Sequence, residues 1–276
     1  MEDADYALGR SGDEYARLMS QAALLRPLTE RMLCAAGVSP GMDVLDVGCG
    51  VGDVSFLVSE LVGPEGSVVG VDIDGDALAL AESRRASSAI SNVAFLQGDA
   101  RSVEPGRLFD AAVGRLVLMY MRDPTDALRL IAERIRPGGL VAFCEWCARP
   151  TTTATGPDQQ ALAALLQLLG ETFRRSGANL EIGAELFWRM RDAGLEPDPD
   201  PVAEIVFRMD EADEAYARWA SMARSLLPKM IEYGLTTEPE AVHLIEHSLR
   251  DEVGRPRAIV PLSWLMIGQW ARKPLS

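Results

Sequence analysis

From residue 43 to about residue 149, short apolar runs alternate with segments whose apolar residues recur every three to four positions. Asp-Val-Leu-Asp-Val at 43–47 reads as a buried strand, and 53–62 as a helix with Leu57, Val58 and Leu61 on one face. Gly63-Pro64-Glu65-Gly66 makes a turn before a second strand at 67–72. A helix follows from Asp76 to Ser88, with strands at 93–97, 109–114 and 140–145 beyond it. Asp123 supplies an N-cap and Pro124 the first helical position, after which Leu128, Ile131, Ala132 and Ile135 fall at i, i+3, i+4 and i+7. Pro137-Gly138-Gly139 stops that helix. Strands and helices alternating at this length predict a parallel sheet with right-handed crossovers.

Outside this stretch the rhythm changes. Residues 13–36 carry helical spacing interrupted by Pro27, which predicts two short helices. Helices are expected at 158–176, 184–193, 211–230 and 238–253, with extended segments at 202–207 and 258–270. We therefore expect a doubly wound, mostly parallel α/β sheet of seven strands with a helical cap. Residues 1–40 form an N-terminal helical lid and 41–149 the ligand-binding core. Residues 150–257 form a helical cap with one returning strand near 202–207, and 258–276 the last strand.

Composition narrows the partners. The chain of 276 residues has 41 acidic against 27 basic side chains, a net charge of −14, which disfavours nucleic acid and anionic membranes. The start, Met-Glu-Asp-Ala-Asp, does not read as a signal or transit peptide, and no apolar run reaches the ~18 residues of a membrane span. Four Cys make no disulfide framework. A cytoplasmic location is expected.

The chemistry concentrates at Asp46-Val47-Gly48-Cys49-Gly50-Val51-Gly52, a strand entering a glycine turn and then a helix. Glycine is required where backbone takes positive φ or approaches a ligand closely, and the helix start offers N–H donors. A dinucleotide turn would carry glycine three residues after Gly50, where this chain has Asp53. A carboxylate there repels a pyrophosphate, so the turn fits a ligand without a diphosphate.

These motifs resemble those of the class I S-adenosylmethionine-dependent methyltransferases, in the same order over roughly 41–149. Asp46 through Gly52 is similar to the family's first motif. The resemblance implies that Asp72 holds both ribose hydroxyls of S-adenosyl-L-methionine, with Ile73 covering the adenine. It assigns Asp99 and the backbone of Ala100 to the adenine edge, and Arg115 and Leu116 to the methionine end. Arg136-Pro137-Gly138-Gly139 resembles the turn before the fifth strand. The segments around Tyr6–Arg10, Gly114–Tyr120 and Trp270–Pro274 resemble a bacterial branch acting on small molecules. In that branch an N-terminal segment and an insertion close over the substrate. Asp46 reads two ways, as a cofactor contact or as a group that orients the glycine turn.

Other residues stand against plainer readings. Cys144-Glu145-Trp146-Cys147 is a Cys-x-x-Cys, but i and i+3 on a strand face opposite ways, so two buried small residues are expected. His243-Leu-Ile-Glu246-His247 matches an inverted zinc-peptidase pattern without a third ligand. No metal is expected, and His243, His247, Glu145 and Tyr120 are the candidates for proton transfer or substrate contact. Tyr6, Tyr15 and Tyr120 are the candidate pocket aromatics. The expected reaction moves the sulfonium methyl to O, N or C of a small organic acceptor. The alternative keeps the cofactor and catalyses a cyclisation or rearrangement. A homodimer is left open.

Overall fold

A computed structural model describes residues 12–88, 90–100, 108–148, 159–208, 212–255, 260–261 and 263–275. Five parallel strands form its centre: β1 (Asp43–Val47), β2 (Ser67–Asp72), β3 (Val93–Gln97), β4 (Phe109–Arg115) and β5 (Ile135–Cys147). They lie in the order β3-β2-β1-β4-β5, so the chain reverses direction across the sheet between β1 and β4. β1 is apolar enough to be buried on both faces, with Val44, Leu45 and Val47 at 0% exposure, as a strand covered by helices requires. The crossovers are α2 (Asp53–Val62), α3 (Gly75–Ser87) and α4 (Pro124–Ala132). Asp74 caps α3 by accepting from Asp76 N and Ala77 N, and Asp123 caps α4 through Asp126 N. β5 begins at Ile135, ahead of the expected start at 140, with a register shift against β4 between Phe109 and Ala111.

The far edge is antiparallel. After α5 (Gln160–Arg175) and α6 (Ile182–Asp192) come the short strands β6 (Glu196–Pro197), β7 (Val202–Glu204) and β8 (Phe207–Arg208). Then follow α7 (Ala212–Glu232), α8 (Glu238–His243), a π-helical turn Leu244–Leu249 and α9 (Arg250–Val253). β9 (Val260–Pro261) and β10 (Leu265–Arg272) end the order of elements. β10 pairs with β5 over its whole length, Leu265 opposite Cys147 and Arg272 opposite Leu140, while β6 and β7 pair with β10. The main sheet therefore has eight described strands. The strand expected at 202–207 divides: its first part joins this sheet, and Phe207–Arg208 pairs with Val260–Pro261 in a second one. The extended segment expected at 258–270 divides in the same way.

The N-terminal segment departs from expectation more simply. Gly12–Ala36 is one helix, α1, with Pro27 inside it. Proline removes one helical hydrogen bond, but Leu25, Leu28, Met32 and Leu33 are at 0–1% exposure, and their burial holds the helix through the interruption. No described helix is long and apolar enough to cross a membrane.

Candidate functional site

The C-terminal ends of β1, β2, β4 and β5, with the turn after β3, open onto a cavity of about 680 Å³. This is the edge, beside a reversal of strand order, where open α/β sheets bind ligands. At its floor the chain leaves β1 through the glycine turn. Gly48 N and Cys49 N both donate to Val71 O, at 2.8 and 3.1 Å, which folds the turn against β2. Gly48 has φ 65°, and a Cβ there would lie 2.3 Å from Val117 Cγ2, so close approach of two loops demands glycine. Gly50, at φ 52°, faces open space and lines the cavity.

Asp72 is the hinge of this wall. Its Oδ2 accepts from Gly50 N at 2.8 Å and its Oδ1 from Asp74 N at 2.8 Å. Two backbone donors fix the carboxylate's orientation, and a carboxylate can accept more than two. Ile73 beside it is 63% exposed, an apolar side chain presented to the cavity. Half-buried Asp99 and buried Ala100 continue the same wall from β3. Asp53, at the first position of α2, also lines the cavity and pairs with Arg84 at 2.7 Å, so a diphosphate would meet a carboxylate there.

Arg115 ends β4, lines the cavity and donates through Nη1 to Thr29 Oγ1 of α1 at 3.0 Å. Burial pulls its guanidinium below the ordinary value, opposed by the fields of Cys144, Asp53 and Asp46. Leu116 follows at φ 56°, a left-handed backbone that costs a leucine about 1–2 kcal/mol. Leu116 N donates to Cys144 O at 2.9 Å, and the side chain lines the cavity. α1 closes the top. Tyr15 donates to Asp74 Oδ2 at 3.1 Å, and Arg17, Leu18 and Gln21 form the rest of the roof.

Residues 38–183, more than half of the chain, match a family model described as a methyltransferase domain. The chain belongs to the class I S-adenosylmethionine-dependent methyltransferase family. Demethylmenaquinone methyltransferase of Lactococcus lactis subsp. lactis (strain IL1403) is 36% identical over 167 residues, 60% of this chain and 64% of that protein. Aklanonic acid methyltransferase of Streptomyces sp. (strain C5) is 29% identical over 150 residues, 52% of this chain and 67% of that protein. The chain thus matches close to two thirds of the length of these curated relatives. The SpnF cyclase has the same fold, with a TM-score of 0.53 at 22% identity, covering 91% of this chain and 81% of that one. The family cofactor is S-adenosylmethionine. The wall fits it: a fixed carboxylate at Asp72 suits vicinal hydroxyls, and exposed Ile73 suits a flat ring.

Several expected site residues lie elsewhere. Asp46 is 1% exposed and does not line the cavity; it accepts from Ser55 Oγ at 2.6 Å and so ties β1 to α2 behind the glycine turn. Burial pushes its carboxyl up to about 7, against the opposing Ser55 bond. Gly52, at φ 87°, caps α2 and makes room for Phe95, whose Cζ would lie 2.9 Å from a Cβ, so its place is structural. Glu145 is fully buried, and its neighbour Trp146 lines the cavity instead. Glu145 Oε1 accepts from Val117 N and Leu118 N, both at 2.9 Å, which makes it a positioning residue for the turn after Leu116.

His243 and His247 are exposed, with ring centroids 5.5 Å apart, and neither lines the cavity. Intervening Glu246 accepts from Tyr216 Oη at 2.7 Å and pairs with Arg224. Among the described residues no group of three or more His, Cys, Asp or Glu is placed to hold a metal. Cys144 and Cys147 are buried and unbridged. Tyr15 and Tyr120 line the cavity, while Tyr6 lies outside the described residues. Of the helices expected to cover the acceptor, only α1 contributes to the described lining. α5 and α7 stand behind, where Phe173 and Trp219 pack on Trp264, which stacks edge-on against Trp146 at 4.7 Å. Arg17, Gln21 and Trp146 were not among the residues expected at the site. The helical spacing of Glu14, Arg17 and Gln21 was visible, but polar residues so spaced read as a solvated face.

Proposed function

We propose that the chain transfers the sulfonium methyl of S-adenosylmethionine to an oxygen, nitrogen or carbon of a small organic molecule held beneath α1. One observation carries this reading: a single cavity is walled by Gly48, Gly50 and Asp72 on one side and roofed by Arg17, Leu18 and Gln21 on the other. A recess beneath a helix admits a small molecule and excludes a folded macromolecule. The net charge of −14 also opposes nucleic acid. The acceptors in the relatives' names, a demethylmenaquinone and an aklanonic acid, support the small-molecule class. The reading places the reaction in the cytoplasm.

Bound there, the cofactor supplies a methyl group already activated by positive sulfur. The chain's own residues then bind, align and exclude water. Asp72 takes the ribose hydroxyls, Ile73 covers the adenine, Asp99 and the Ala100 backbone take its edge, and Arg115 with Leu116 faces the amino-acid end. Burial pushes the Tyr120 phenol well above its ordinary value, so it remains a protonated donor. A base is needed only for an acceptor that must lose a proton.

The test is incubation with cofactor labelled in its methyl group and a panel of small acceptors. Label in the product with equimolar S-adenosylhomocysteine is expected. An altered acceptor without label refutes methyl transfer in favour of the rearrangement reading.

A further inference from the structure

The roof of the cavity carries a buried polar group. Arg17 donates through Nε and Nη2 to the two Glu14 carboxylate oxygens at 2.7 and 2.6 Å, and through Nη1 to Gln21 Oε1 at 2.8 Å. All three side chains are at 7% exposure or less. A guanidinium only donates, so it fixes which end of the Gln21 amide is oxygen. Gln21 Nε2 is then the other end, and it has no protein partner among the described residues. Trp146 Nε1 is in the same condition. Both side chains are 3% exposed and both residues line the cavity. A buried N–H without an acceptor is expensive, so two on residues that line one cavity point to an acceptor brought by the ligand, reached by a small shift of the side chains.

Charge indicates which acceptor. Arg17 is the cation beside Gln21, and it is matched by bidentate Glu14. Arg218, whose guanidinium is held low by burial and by Arg17, does not line the cavity. The two donors are neutral, Leu18 and Met121 of the same lining are apolar, and the lining's other guanidinium, Arg115, is turned to Thr29 Oγ1 of α1. We infer that the acceptor compartment selects an apolar molecule bearing a neutral carbonyl oxygen, which accepts from Gln21 Nε2 or Trp146 Nε1. This rests on the methyl-transfer reading for the place of the cofactor in the other half of the cavity.

The test uses the full chain saturated with S-adenosylhomocysteine and three probes of similar size: acetophenone, ethylbenzene and benzoate. Side-chain N–H resonances of ¹⁵N-labelled protein and titration of Kd are followed to millimolar probe. Acetophenone is expected to shift the Gln21 or Trp146 N–H resonance and to bind at least tenfold tighter than ethylbenzene. Gln21→Met or Trp146→Phe, whichever removes the shifted donor, should abolish that advantage while S-adenosylhomocysteine still binds. Equal binding of ethylbenzene, tighter binding of benzoate, or no response to any probe overturns the inference. Failure of S-adenosylhomocysteine to bind at the outset instead refutes the methyl-transfer reading.

Discussion

Replacing Glu145 by Gln should change how stability depends on pH, and the structure sets the sign. The carboxyl is fully buried, with Oε1 accepting from Val117 N and Leu118 N and Oε2 without a protein partner among the described residues. Burial pushes it from an ordinary 4.5 up to about 7, against the backbone bonds from Leu118, Val117 and Met119. Because the folded state favours the protonated form, the contribution to stability is complete below about pH 4.5. It is lost as pH rises through about 7. A displacement of that size corresponds to about 3 kcal/mol between the two ends of the range. Gln keeps an oxygen for the same two N–H donors and does not titrate. Urea unfolding of both proteins from pH 4.5 to 8.5 should give similar stabilities at the acid end. Towards pH 8.5 the variant should gain on the native protein by about 3 kcal/mol. A difference that does not vary with pH, or that favours the native protein more as pH rises, refutes the reasoning. Asp46, raised to about 7 by the same cause, contributes to both proteins alike and cancels in the comparison.

S-adenosylmethionine and S-adenosylhomocysteine should raise Tm, by an amount equivalent to about 2.7 kcal/mol at a hundredfold excess over Kd, while NAD does nothing. Equal stabilisation by NAD in a thermal melt would count against the site. Asp72→Ala should weaken cofactor binding by about 2–4 kcal/mol, since charge-assisted hydrogen bonds are lost. Asp110→Ala should leave it nearly unchanged, because Asp110 sits at the start of β4 bonded to Asp43 N and paired with Arg136. Calorimetry showing equal losses would refute that placement. Deleting residues 1–20 removes Tyr15, Arg17 and Leu18 from the roof. Turnover should vanish while the remaining core still binds cofactor, and retention of kcat would show that α1 does not close the site.

The parallel half of the fold was legible because each element announces itself locally. β1 carries Val44, Leu45 and Val47 within five residues, Asp123-Pro124 marks a helix start, and the glycine turn follows a strand directly. At the antiparallel edge the extended segments at 202–207 and 258–270 were legible but their division was not, because β8 and β9 pair residues more than fifty positions apart and each spans two residues. Glu145 was misread by one position. Side chains alternate along a strand, and nothing local says that Trp146 rather than Glu145 faces the cavity. His243 and His247 share a helical face, but the face that turns outward is decided by packing of the π turn. Pro27 read as a break because local propensity weighs against it, whereas the buried residues on either side outweigh that cost.

That proline also has a dynamic consequence. It lies between the part of α1 anchored by Leu28, Met32 and Leu33 and the part that roofs the cavity through Tyr15, Arg17 and Gln21. With one backbone hydrogen bond missing, bending is cheapest at that point. The roof is therefore built as a lever with its fulcrum near residue 27, held down at its far end by Tyr15 on Asp74. Lid opening in enzymes commonly runs on the μs–ms timescale. Bending at Pro27 would carry Tyr15, Arg17 and Gln21 together away from the sheet edge, so α1 couples the admission of small molecules to the packing of its own C-terminal half.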